Sequence, residues 1–268
     1  MSLTQTILEF LRAPYPLWEN HLTRLLVETS RPKEEFPKDG PASQWLIIAD
    51  QEAGSTYLTV PSPTDLAFYE ENGLVPQSAV DLLDGEAAEK IRDALKVLAW
   101  EEPTERCIIQ LVRSIHVVKS PDDEIDVSYS HPEWLSTIFV SVCGDNSLLS
   151  RLRVAESILH EAMHLKLSLI ERIVPITKPF TGNRYFSPWR EEGRPAQGIV
   201  HGLFVFRAIL EFFRLIKGRV DQTEGLEHLF WREQQILSEL ESLKNFETCP
   251  DLTPAGTTLV ASLINLEY

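Results

Sequence analysis

The chain of 268 residues is short of cysteine, of positive charge and of long apolar runs. Its three cysteines, Cys107, Cys143 and Cys249, are odd in number and lie far apart without CxxC spacing. That excludes a disulfide framework and a zinc ribbon, and leaves buried free thiols as the expectation. Lys and Arg total 25 against 40 Asp and Glu, a formal net charge of -15. So acidic a chain does not read as a general binder of nucleic acid or of an anionic membrane. No stretch approaches the roughly 20 apolar residues of a membrane span. The start, MSLTQTILEFLRAPYP, carries neither a basic leader nor a small-residue cleavage site, which points to the cytoplasm.

What is present reads as an α+β chain, predominantly helical, with a small sheet from the middle third packed against long helices. Apolar spacing predicts helices over LTQTILEFLRA and PLWENHLTRLLVE, followed by strands at QWLIIAD and STYLTV. The proline-broken run from Ser30 to Ser43 reads as a surface loop. A helix is expected from Ser78 to Trp100, where Val80, Leu83, Ala87, Ile91, Leu95 and Leu98 recur among charges. CIIQLVRSIHVV and STIFVSVCG are rich in β-branched residues and read as strands, the first equally compatible with a helix. After Asn146 long helices take over: LLSRLRVAESILHEAMHLKLSLIERIV, GIVHGLFVFRAILEFFRLIKG, residues 222 to 245, and a short closing one, with TKPFTGNRYFSPWREEGRP as a loop between the first two. The chain divides on this reading into a mixed N-terminal region, residues 1–125, suited to substrate recognition, and a catalytic region, residues 126–268, within one compact unit.

HEAMH at residues 160 to 164 carries the chemistry. On a helix, residues four apart differ by about 40° and roughly 6 Å along the axis, so His160 and His164 share a face and can share a cation. Glu161 sits about 100° round from His160, beside such a cation. Chance alone would place HExxH in about 2% of chains of this length and composition, so context decides. The motif lies inside a strong helical pattern flanked by Ile158, Leu159, Leu165, Leu167 and Leu169, where two imidazoles and a carboxylate are costly to bury without a partner. The alternative is a pair of ordinary histidines hydrogen-bonded to neighbours.

A third ligand is sought further on. The metzincin pattern fails, because the Gly and His that would follow His164 are missing. His201 is the only strongly polar residue between Gln197 and Arg207, on an otherwise apolar helix between Gly198 and Gly202. Three neutral imidazoles, His160, His164 and His201, leave coordination positions open and suit zinc or iron(II) equally. Arg190 and Arg194, in the loop before His201, are candidates to pair a distal carboxylate of a cosubstrate, and either could do so.

HEAMHLKL followed by YFSPWREEGRPAQGIVHGLFVF resembles the HExxH-motif family of peptide-modifying proteins that accompany ribosomally made peptide natural products. Its members act as iron(II)- and 2-oxoglutarate-dependent peptide β-hydroxylases. The similarity spans roughly residues 128 to 216, with Ser128 to Ser130 matching a serine-rich stretch. It implies His160, His164 and His201 as metal ligands, iron(II) and 2-oxoglutarate as cofactors, and a peptide, such as a precursor with a leader, as substrate. Glu161 would then hold a ligand histidine in its tautomer or touch the substrate. Two other readings stand beside it. One is a zinc peptidase in which Glu161 is the general base; the other is a non-catalytic scaffold that binds a basic peptide partner. Oligomeric state is not legible.

Overall fold

Helical periodicity and strand alternation resolve, in a computed structural model, into ten α-helices and seven strands among the described residues, which are all except 1, 31–44, 53, 64, 84, 123, 133 and 266–268. In chain order they are α1 (Leu3–Arg12), α2 (Asn20–Ser30), β1 (Trp45–Gln51), β2 (Gly54–Thr59), α3 (Leu66–Glu71), α4 (Ala79–Leu83), α5 (Glu86–Leu98), α6 (Glu102–Leu111), β3 (Ser114–Val117), β4 (Ser128–Ser130) and β5 (Thr137–Val140). Then follow α7 (Leu148–Glu171), β6 (Tyr185–Ser187), β7 (Glu192–Arg194), α8 (Ala196–Ile216), α9 (Thr223–Glu241) and α10 (Pro254–Ile264). The fold class is α+β. The loop expected from Ser30 onward falls, beyond Ser30, outside the described residues. None of the described helices is long and apolar enough to cross a membrane.

Two compact units make up the chain: Met1–Thr29 with Lys166–Tyr268, and Ser30–Leu165. Neither ends near residue 125.

In the unit of residues 30–165, five strands form one mixed sheet in the order β1-β2-β3-β5-β4. β1 and β2 are an antiparallel hairpin, β3 runs parallel to both β2 and β5, and β4 closes the far edge antiparallel to β5. The sheet thus draws its first hairpin from ahead of the middle third. The stretch at Cys107, read as strand or equally as helix, is both: CIIQL completes α6, whose start is set by Glu102 and Pro103, and the chain turns at Val112 before SIHV enters the sheet as β3. The single helix expected from Ser78 to Trp100 is broken into α4 and α5. Gly85 between them has φ +91, a left-handed conformation that glycine adopts without a Cβ clash.

Alternation along β4 and β5 sorts side chains onto two faces. Tyr129 and Phe139 pair across the strands and join Tyr69 and Val118 in an aromatic cluster completed by Phe68 and Trp134. Within it the Tyr69 hydroxyl lies 2.6 Å from His116 Nδ1, which gives the buried imidazole its polar partner. Ser128 and Ser130 belong to the opposite face.

The second unit packs α8 against α9 and α10, and α1 against α10. α8 is buried nearly all round, from Ile199 to Ile216, in keeping with its apolar sequence. Lys166, fully buried, donates to the carbonyls of Leu17 (2.7 Å) and Glu19 (3.1 Å), so its ammonium is satisfied by main-chain oxygens. The segment expected as a loop between α7 and α8 contains the antiparallel pair β6–β7, with Tyr185 opposite Arg194. Ser187 to Glu191 form its turn, closed by the Glu191 N–H on the Ser187 carbonyl at 2.8 Å.

Candidate metal centre

α7 buries most of its surface, and Ile158, Leu159, Ala162 and Met163 have no exposure at all. A half-buried stripe remains at Arg153, Glu156, His160 and His164, spaced three or four apart. This spacing places the two imidazoles one above the other at the edge of the core, where apolar flanks fix the helix and leave the rings reachable.

Their Nε2 atoms stand 3.1 Å apart, with ring centroids 4.8 Å apart and planes at 68°. A divalent ion bound to both at about 2.0 to 2.1 Å requires nitrogens roughly 2.8 to 3.4 Å apart, from octahedral to tetrahedral geometry. The separation fits that edge. It also fits one N–H···N hydrogen bond between rings of opposite tautomer.

Glu161 is only 3% exposed, and both its oxygens are engaged. Oε1 accepts from the Ser128 hydroxyl and Oε2 from the Ser130 hydroxyl, each at 2.6 Å. Two hydroxyl donors two residues apart on one strand grip the carboxylate from the same face, so β4 holds this turn of α7 by its motif residue. His160 Nε2 lies 3.8 Å from Glu161 Oε1. The serine pair is visible in the sequence as S-x-S at strand period; only its partner was not.

His201, Arg190 and Arg194 belong to the other unit. His201 stands in the second turn of α8, and its Nε2 lies 3.1 Å from Glu171 Oε2, which also accepts from Gln197 Nε2 at 2.9 Å. The last residue of α7 therefore gives His201 a carboxylate partner, and with the Nε2–H tautomer its Nδ1 is the basic nitrogen. Glu171 and Gln197 were missed by the sequence reading. Gln197 is one helical turn before His201, which is the signal that could have found it.

Arg190 is exposed in the β6–β7 turn. Arg194 lies across Gly198 and stands 3.9 Å from Glu192 Oε1, with 40% of its side chain exposed. Trp189, immediately before Arg190, stacks on Phe206 with ring centroids 5.1 Å apart. Glu211, further along α8, pairs with Arg207 at 3.5 Å.

The structure thus gathers His160, Glu161 and His164 with Ser128 and Ser130. Among the described residues, no group of three or more His, Cys, Asp or Glu side chains is arranged to hold a metal ion. The donor pair fits one edge of a coordination shell and leaves the rest to other ligands. Cys107 and Cys143 are buried free thiols and Cys249 is half-buried, so none is paired in a disulfide. No family model and no curated protein matches the chain.

Proposed function

We propose that the chain is an iron(II)- and 2-oxoglutarate-dependent enzyme that hydroxylates the β-carbon of a residue in a peptide. The observation that supports this over a zinc peptidase is the double engagement of Glu161 by Ser128 and Ser130 beside two converging imidazoles. A peptidase uses this carboxylate to take a proton from metal-bound water, which requires an oxygen able to turn onto that water. Here both oxygens are tethered to a strand, and the carboxylate acts as a strut that sets the rotation of α7 and the direction of His160.

In this reading His160 and His164 hold the cation. His201 as third ligand, and Arg190 or Arg194 as anchor of the cosubstrate's distal carboxylate, enter by the resemblance and by charge. Bound iron would supply oxygen activation and 2-oxoglutarate the two electrons it consumes. The half-buried stripe on α7 leaves the imidazole pair open to substrate, while Ile158, Leu159, Ala162 and Met163 keep water from the helix behind it.

The test is anaerobic reconstitution with iron(II), then titration with 2-oxoglutarate. A weak visible charge-transfer band, and succinate formed only with iron, oxygen and 2-oxoglutarate, is the expected result. Tight zinc binding with peptide cleavage, lost on Glu161→Gln, is the outcome that replaces it with the peptidase; no stoichiometric metal at all favours the scaffold.

A further inference from the structure

β4 is the terminal strand of its sheet, and its hydrogen-bonding phase is fixed by two contacts. The Ser141 N–H donates to the Val127 carbonyl at 2.7 Å, so Val127, and two residues on Tyr129, turn their main-chain groups toward β5. The carbonyl of Val140, opposite Ser128, accepts instead from the Val118 N–H at 3.0 Å, on the β3 side. Ser128 and Ser130 therefore direct their N–H and C=O away from the sheet. Among the described residues no further strand pairs with that edge. Their hydroxyls, meanwhile, reach Glu161 on α7.

The two faces beside this edge differ in chemistry. On the α7 face stand Glu161 and, adjoining it, His160. On the other face Tyr129, His131, Phe68 and Trp134 form a half-buried aromatic group, with Phe68 and Trp134 stacked at 4.4 Å and Phe68 edge-on to His131 at 5.5 Å.

We propose that the outer edge of β4 receives the substrate peptide as an added antiparallel strand, with one side chain turned to the His160–His164 face and its two neighbours turned to the aromatic group. An extended peptide is the occupant whose own groups match two outward N–H and C=O pairs about 6.7 Å apart. Residues directly opposite in a ladder share a face, so the peptide residue facing Ser128 or Ser130 carries its β-carbon to the side of the histidines. The residues flanking it meet Tyr129, Phe68, His131 and Trp134. The preferred substrate therefore carries aromatic or large apolar residues immediately before and after the modified one. The assignment of a modified residue rests on the hydroxylase reading; the docking itself does not.

The experiment uses the full chain without added metal and a fluorophore-labelled Ac-Thr-Phe-Thr-Phe-Thr-Lys-NH2 as probe, followed by fluorescence anisotropy. N-methylation of the central Thr removes an N–H aimed at β4 and weakens binding about 3- to 10-fold or more, whereas N-methylation of a Phe changes it less than about 2-fold. Replacing both Phe by Ser weakens binding about 10-fold or more. Ser130→Pro, which removes a main-chain donor from that edge, weakens binding about 10-fold or more. Should the proline variant not fold, the methylated peptides still decide. Equal losses at Thr and Phe, or no saturable binding at about 1 mM peptide, would overturn the proposal. Alternating losses with no succinate formation would leave the docking edge standing and remove the hydroxylase.

Discussion

The indole of Trp189 lies flat on helix α8 at Gly202, so close that a β-carbon at that position would overlap the ring. SPWR and the HG of His201-Gly202, two pieces of one sequence pattern, are thus also joined by packing: the tryptophan needs a residue without a side chain beneath it, and Phe206 one turn on to stack against. Gly202→Ala is expected to destabilise the chain by about 1 to 3 kcal/mol through overpacking, despite the better helix propensity of alanine. Combining it with Trp189→Ala should cost less than the two separate losses added together, because the second change removes the clash. Urea denaturation of the four proteins measures both.

The two hydroxyls on Glu161 predict a separate stability effect. Ser128→Ala and Ser130→Ala together take two donors from a buried carboxylate, at a cost of about 3 to 5 kcal/mol, and Glu161→Gln in the doubly substituted background should recover part of that by removing the charge. Thermal unfolding of the series tests it. Equal melting temperatures for parent and double variant would mean the serines do not hold the carboxylate.

Metal retention separates the histidines. His160→Ala and His164→Ala should each weaken iron(II) or zinc binding by about 100-fold or more, measured by equilibrium dialysis. His201→Ala should do the same if it is a ligand. Unchanged retention with a lowered melting temperature would leave His201 as the partner of Glu171 alone.

Two groups, His116 buried and Glu211 half-buried, give stability opposite pH dependences. Burial raises the Glu211 carboxyl to about 7 against the pull of Arg207 and Arg214, so between about 4.5 and 7 the folded chain holds a proton that the unfolded chain has lost, and stability falls as pH rises. Burial lowers His116 to about 4, so between about 4 and 6.5 the unfolded chain holds the extra proton, and stability falls as pH drops. Each effect is on the order of 3 kcal/mol at most. Glu211→Gln should flatten the loss on the alkaline side, and His116→Gln the loss on the acid side, in melting temperatures recorded from pH 4 to 8. A parallel curve for either variant would remove that group as the cause.

Local pattern was enough for the helices from α7 onward, for the strands β1 and β2 and for the facing of His160 and His164, because each depends on a period of 3.6 or 2 within a few turns of chain. The same rules left Cys107 to Val118 open, because β-branched residues suit strand and buried helix alike, and the turn at Val112 divides it into both. Gly85 was readable as a breaker, yet the apolar spacing on either side ran through it.

Partnership at a distance was not in the sequence. Glu161 meets hydroxyls more than 30 residues earlier in the chain, and His201 meets a carboxylate exactly 30 earlier. Residue order set which side chains could do chemistry; the folding of β4 against α7, and of α8 beside the end of α7, decided which of them touch. The physical reason is that hydrogen bonds and close packing act over a few ångströms in space, whereas periodicity constrains only direction along one element.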